Sequence, residues 1–580
     1  MSRNRKCPTA LLLTWTCVIS LLLTACAHNT GGISKSAPNV IPRVEGTPMA
    51  PYDQQIYRFP LGITDISTLD PVLTTDIYSS RTIAMVFNGL IQLDDNLQVQ
   101  PELAQSWEQS TDGLQWTFHL HSHLAFSDGT PLTSKDVAYS LDRALQPTTK
   151  SLCASNSLLK DSDKLSAGQI QTIIGDSILT PDAHTVVLKL MKKAAYFLYT
   201  LSTACHYIVE KSLISKYGNE KFTDHLTEGG GAGPFIVSQY LHKQEIDFVP
   251  NPYYYGFKPL LQKVIFRFIP TADIAYRAYQ NGELDYTSVP LDRFDEARQL
   301  INEYSLKPRL SISYARMNFL AKPFDNLHIR QAFALSIDRD TINNTLFKDT
   351  RTPTYHLIPQ GMLGYNPNLT GPANVTDTRG DAPLARQLFQ EGLREEGWPD
   401  ISSMPPITFT YDTEPTSDKI VTALRQMWQS VLGVNVIPNP IEFNTLLTGV
   451  DQAKGNPNGL QMWYLSWSPH FPDPQDCLTV HFGKGQPYND SNYGQNDTAD
   501  ALQQQQVQHQ LEQADVEANP TTRLLLYQSA EQQIINQVGW IPLFQATLIT
   551  LRKPHVKGVV ITPISLTPPG DWAHIYIAAH

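Results

Sequence analysis

A chain of 580 residues that is 41% apolar and 17% charged has a globular composition and more material than one hydrophobic core uses, so two to four domains are expected. Its formal charge is −11 and it contains no long basic run, which argues against nucleic acid as a partner. Six cysteines in a chain of this length exclude a disulfide-dense scaffold.

Arg3, Arg5 and Lys6 precede an apolar run over residues 11–23, and Leu23-Thr24-Ala25-Cys26 follows. The run is too short to span a bilayer comfortably, and the layout is that of a secretory signal. Its ending is similar to a bacterial lipoprotein signal, in which the cysteine is diacylated and becomes the first mature residue. Cys26 is therefore the expected lipidation site, holding the protein on the extracytoplasmic face of the cell membrane; the alternative is a plain signal peptide that contains a cysteine. Removal of residues 1–25 takes the formal charge from −11 to −14. Residues 26–55, rich in Ser, Pro, Gly and Asn, read as a flexible tether.

From Ile56 the chain becomes organised. Residues 56–73 predict a strand and a turn at Asp70-Pro71, and residues 79–90 carry Ile83, Val86, Phe87 and Leu90 at helical spacing. A strand over 116–126 leads into the turn Ser127-Asp128-Gly129-Thr130-Pro131, and Thr133 caps a helix reaching Leu145 with Asp136 at its third position. A helix over 422–432 is followed by a strand, GVNVIPN, in keeping with α/β layers. The segment MWYLSWSPHFPDPQD, residues 462–476, begins as an apolar strand and ends in three prolines that no strand interior accepts. Ser466, Trp467, Ser468, His470 and Asp473 fall at or just past that end and are the candidate ligand-binding residues; the bland alternative is an exposed proline-rich connection. Residues 503–506 read as the solvated face of a helix, and Asn519 and Pro520 open another that runs to Gln537.

Catalytic signatures are lacking: there is no G-x-S-x-G, H-E-x-x-H, GK[ST] loop or paired C-x-x-C. The glycines between Gly229 and Gly233 lack dinucleotide spacing. His119, His121 and His123 alternate, so a metal site is conceivable, but the strand is about to turn and no second cluster accompanies them. No metal, cofactor or catalytic residue is expected.

Pro101-Glu102-Leu103-Ala104-Gln105-Ser106-Trp107, then Trp116-Thr117-Phe118-His119-Leu120, and Ser127-Asp128-Gly129-Thr130-Pro131-Leu132-Thr133 with Asp136-Val137 resemble the signature of the bacterial family 5 solute-binding proteins of oligopeptide and dipeptide ABC importers. Gly233-Pro234-Phe235, Asn251-Pro252-Tyr253-Tyr254, Asn281-Gly282-Glu283-Leu284-Asp285 and the stretch Phe333 through Arg339 extend the resemblance, which covers the chain from about Ile56 to its end. It implies an α/β, two-lobed periplasmic-binding-protein (type II) fold with an additional domain and a ligand cleft between the lobes. By the same resemblance domain I would comprise residues 56–89, 206–310 and 551–580, domain II 90–205, and domain III 311–550. Cys153 and Cys205 would then share domain II, where a disulfide is expected; three free buried thiols, counting Cys477, are the alternative.

The function so implied is a monomeric, non-enzymatic receptor that captures a peptide or other small solute and delivers it to the membrane subunits of an ABC permease. An oligosaccharide or metal-chelate cargo, or an exported hydrolase with a dispersed triad, remain alternatives. Ile77, on the resemblance, lies opposite the 466–470 segment, and the two would pair with an extended ligand. His470 departs from the family pattern, which places an aspartate there to meet the ligand's ammonium. Its presence implies a ligand not anchored by a free amino terminus, or one with an anionic or neutral polar group at that end.

Overall fold

The computed structural model of the protein describes residues 48–579 apart from Leu152, Ser155 and Asn156. The expected signal and Cys26 lie outside the described residues. The end of the expected tether is fixed in place: Gln55 is fully buried and its amide donates to the carbonyls of Ala50 and Ile577 while accepting from the Ile577 N–H.

Strand β1 (Ile56–Leu61) alternates half-buried and buried residues, as a strand with one face on a core must. β2 (Ile91–Leu93) and β3 (Val99–Pro101) pair as a short hairpin. β4 (Ala104–Gln109), β5 (Gln115–Leu120), β6 (Ile178–Asp182) and β7 (Thr185–Lys189) form an antiparallel sheet in the order β4-β5-β7-β6. β8 (Phe235–Leu241), β9 (Glu245–Pro250) and β10 (Lys263–Phe268) join β1 in the order β1-β10-β9-β8.

The largest sheet takes β11 (Tyr286–Ser288), β12 (Tyr304–Met317), β13 (Thr352–Pro353), β14 (Ile407–Asp412), β15 (Val436–Ile441), β16 (Met462–Trp467) and β17 (Ile541–Arg552). Its order is β11-β17-β12-β16-β14-β15, with β13 on β17. β18 (Val556–Lys557) and β19 (Tyr576–Ile577) pair near the end of the chain.

β12 and β17 are long because they serve both halves of the molecule. They pair first over Tyr304 to Pro308 beside β11, then over Ile312 to Ala315 beside β16, with a register shift between Pro308 and Ile312. β11 is tied in turn to β1, since the Arg58 N–H donates to the Asp285 carboxylate and the Asp285 N–H to the Arg58 carbonyl. Separate hydrophobic cores lie on the two sides of the shift: one under β1 and β8 to β10, including Tyr57, Phe59, Phe248 and Phe266, and one around Phe333, Phe409, Trp428 and Met462. A third fills the sheet of β4 to β7 around Phe118, Leu141 and Leu188.

Local chemistry accounts for the helices nearest the cleft. Helix α1 (Ile77–Val86) is started by Asp76, whose carboxylate accepts from the N–H groups of Tyr78 and Ser79. α2 (Ser134–Leu145) begins in a capping box between Thr133 and Asp136. Asn519 caps the helix Pro520–Asn536 by accepting from the Thr522 N–H. Two expectations need correction. β5 stops at Leu120, leaving His121 and His123 beyond it. In the helix Ala501–Val516, Gln503, Gln505 and Gln506 are exposed as expected, but Gln504 is fully buried, because its amide meets the Gly494 N–H, Asn496 and Asp500.

Cys153 and Cys205 are joined by a disulfide, their Cα atoms 5.7 Å apart, beside Val72 and Ala144. Cys477 is a buried free thiol.

Candidate binding site at the end of strand β16

β16 is paired along its whole length with β12, from Met317 opposite Met462 to Ile312 opposite Trp467. On its other side it pairs with β14 only at Met462 and Trp463. From Tyr464 to Trp467 that second edge carries no partner strand among the described residues, so its main-chain groups are open to an added chain. Ser466 and Ser468 are exposed there, and the Ser466 hydroxyl shares a 2.9 Å hydrogen bond with that of Ser313 on β12.

Trp467 is half-buried and stands edge-on to His481 at 4.3 Å and to His470 at 5.0 Å between centroids, with the tilted ring of Tyr488 at 5.3 Å. Its indole N–H is buried and has no hydrogen-bond partner among the described residues. His481, enclosed beneath it, is held neutral, since burial and the neighbouring Arg316 cation push its pKa well below the usual value.

His470 sits exposed at the rim, in contact with a carboxylate that the sequence did not single out. The His470 N–H donates to Asp476 at 2.7 Å, and its Nδ1 lies 3.1 Å from the other oxygen. Burial disfavours the cationic ring, but the hydrogen bond to Asp476 and its charge prevail, and the pKa of His470 rises. The histidine thus stands paired with Asp476 at the place where the family pattern has a carboxylate.

Asp473, expected among the ligand-binding residues, is placed elsewhere. It is fully buried, caps the short helix Pro474–Cys477 by accepting from the Gln475 N–H, and receives two hydrogen bonds from Arg523, at 2.6 and 2.9 Å. Arg523 also reaches the Tyr527 hydroxyl, which donates to Asp515, as does the Thr479 hydroxyl. Burial pushes the Asp515 carboxyl up to about 6. Both oxygens of Asp473 are thus already accepting, which leaves none free for a ligand and makes it a support for the loop.

Ile77 is half-buried at the first position of α1 rather than in an extended segment, because Asp76 starts the helix immediately before it. Nothing in the described residues joins Ile77 directly to β16. Its neighbour Tyr78 lies within Coulombic reach of Arg309, at the register shift of β12, three positions from the partner of Trp467. Among the described residues no three His, Cys, Asp or Glu side chains converge as metal ligands, and no helix is long and apolar enough to cross a membrane.

Residues 98–489 match the family model described as bacterial extracellular solute-binding proteins, family 5 Middle. The probable deoxycholate-binding periplasmic protein YgiS of Escherichia coli is 28% identical over 92% of this chain and 95% of its own length. The oligopeptide-binding protein OppA of Bacillus subtilis is 26% identical over 86% and 89%. Among solved structures, the unliganded open form of the periplasmic murein tripeptide-binding protein MppA superposes with a TM-score of 0.75 at 23% identity, covering 92% of this chain and 99% of that one. Haemophilus influenzae OppA in complex with the peptide RPPGFSPFR gives 0.68 at 20%, covering 92% and 100%. These likenesses show the fold, an α/β, two-lobed periplasmic-binding-protein architecture, and the curated relatives are named as binding proteins rather than enzymes.

Proposed function

The chain belongs to the bacterial extracellular solute-binding proteins of family 5, and from that premise we propose that it is the peptide-binding component of an ABC importer, closing its two lobes around an extended ligand and presenting it to a membrane permease. The observation that carries the reading is the open edge of β16 from Tyr464 to Trp467, flanked by the exposed hydroxyls of Ser466 and Ser468 and the half-buried face of Trp467. An extended peptide satisfies such an edge with main-chain hydrogen bonds, which favour no particular side chain. The names of the OppA and MppA relatives support a peptide cargo.

In this reading Ile77, Ser466, Trp467, Ser468 and His470 face the cargo. Domain I is formed by residues 56–89, 206–310 and 551–580, domain II by 90–205 and domain III by 311–550; the separate cores favour this division. The protein works as a monomer tethered through a lipidated Cys26. A second reading keeps the receptor and replaces the peptide by an amphiphilic organic anion, for which the relative named as probable deoxycholate-binding is the motive.

Incubation with a mixed library of short peptides, with mass spectrometry of the bound and free fractions, tests the proposal. Retention of intact peptides is expected, together with weaker retention of peptides whose main-chain nitrogens are methylated. Cleaved products would replace the receptor with a hydrolase, and an empty bound fraction would dismiss the peptide.

A further inference from the structure

The fully buried arginines of this molecule mostly have a carboxylate: Arg316 faces Asp490, Arg330 faces Asp500, and the nearly buried Arg143 and Arg523 face Asp70 and Asp473. Among the described residues, the half-buried Arg81, Arg309 and Arg351 are in no ion pair with a carboxylate. Arg81 on α1 donates to the Ser565 carbonyl and lies over the Phe59 ring at 4.9 Å. Arg351, just before β13, lies over the Phe347 ring at 4.2 Å, and no side-chain hydrogen bond is found for its guanidinium or for that of Arg309 among the described residues.

These three meet at the junction of the lobes. Arg309 occupies the register shift in β12, where its carbonyl accepts from the Gln545 amide and the next N–H, that of Leu310, donates to Pro563. Pro563 is two residues from Ser565, which holds Arg81. Gln545 pairs with Thr352, the residue after Arg351. Arg309 therefore lies within Coulombic reach of both Arg81 and Arg351, and the other groups that bear on the three are the hydroxyls of Tyr286, Tyr57, Tyr78 and Tyr464. Tyr464 begins the open edge of β16, and the bonded hydroxyls of Ser313 and Ser466 lie beside it, so the cluster is continuous with the candidate binding segment.

Three neighbouring like charges, partly withdrawn from water and without a counter-ion, leave planar forks of donors free for a carboxylate. We propose that Arg81, Arg309 and Arg351 form a carboxylate-binding site at the crossing strands, where the anionic end of the cargo is held by residues of both lobes. The proposal rests on the receptor reading above and adds the charge of the cargo to it. Because Arg81 belongs to one side of the β12 shift and Arg351 to the other, a carboxylate bound by both favours the closed arrangement over the open one.

Two measurements on wild type, Arg309→Gln and Arg351→Gln test the site. In the first, thermal unfolding is followed in sulfate and in chloride at matched ionic strength. Wild type is expected to gain more from sulfate than either variant, by a few degrees, and the variants to be no less stable than wild type in chloride, since a repulsive charge has been removed. An equal sulfate response in all three would overturn the proposal. In the second, one random tetrapeptide library is presented as free acids and as C-terminal amides. At least tenfold stronger retention of the acids by wild type, lost in both variants, is expected, and equal retention of acids and amides would overturn the proposal. If neither form is retained the peptide reading fails, and the sulfate comparison alone decides the cluster.

Discussion

The main-chain N–H of His470 donates to one oxygen of Asp476 while the imidazole Nδ1 meets the other, so a single buried carboxylate holds the residue from two directions. The ring is raised above its ordinary pKa by that carboxylate, against the effect of burial. Stability from this pairing is present in full below the unfolded histidine value of about 6.5 and fades as the pH rises through the raised folded value. Asp476→Asn should therefore cost more stability at about pH 5.5 than at about pH 9. Denaturant titrations at the two values read the difference, and an NMR titration of the variant should find the His470 ring titrating lower than in wild type.

The same charge bears on the ligand. One peptide offered in free and N-acetylated forms should show little preference for the free amine, and any preference should shrink as the pH falls and His470 becomes fully cationic. Calorimetry across the acid range checks this; a strong preference that persists at low pH would mean that another carboxylate meets the ammonium.

Asp473 and Arg523 are both nearly inaccessible and joined by two hydrogen bonds. Asp473→Asn leaves a buried guanidinium short of its counter-charge and should cost about 3–5 kcal/mol. Adding Arg523→Met should recover part of the loss, because the uncompensated charge goes with it. Chemical denaturation of the two variants distinguishes them.

Trp467→Ala removes the ring that His470, His481 and Tyr488 surround, at a site already half open to solvent. Peptide binding should weaken more than tenfold, while circular dichroism and cooperative unfolding survive. A protein that binds as before would move Trp467 out of the ligand's path.

Reducing the disulfide between Cys153 and Cys205 opens a loop whose ends are 52 residues apart. Chain entropy puts its contribution at about 4 kcal/mol. Alkylation without reductant should label neither residue, and unfolding after reduction should occur at lower denaturant.

What could be read in advance depended on distance along the chain. The end of β16 was legible because three prolines follow it, and the start of α2 because Thr133 and Asp136 are three residues apart. The helix start at Ile77 was not legible, because the resemblance carried no information about the cap that Asp76 provides. Asp473 looked available because its partner Arg523 is 50 residues away, and the arginines at 81, 309 and 351 have no shared spacing by which to be grouped. Gln504 sits in a glutamine run whose composition suggests solvent, and only the Gly494 to Asp500 loop folded over it explains its burial.

The ring of Phe471 stacks on that of Tyr196, with centroids 6.0 Å apart and planes 2° from parallel, and the Ala195 N–H donates to the Asp515 carbonyl. Strands hydrogen-bonded side by side resist sliding, so β12 and β17 hold the cores on either side of the shift in fixed register, and residues 309–311 are where that pairing is interrupted. Phe471 and Tyr196 are both buried in the core of the β4 to β7 sheet, so the loop after β16 is anchored to that core as well as to its own strand. The segment that follows the open edge is therefore gripped from two sides, by Arg523 through Asp473 and by Tyr196 through Phe471.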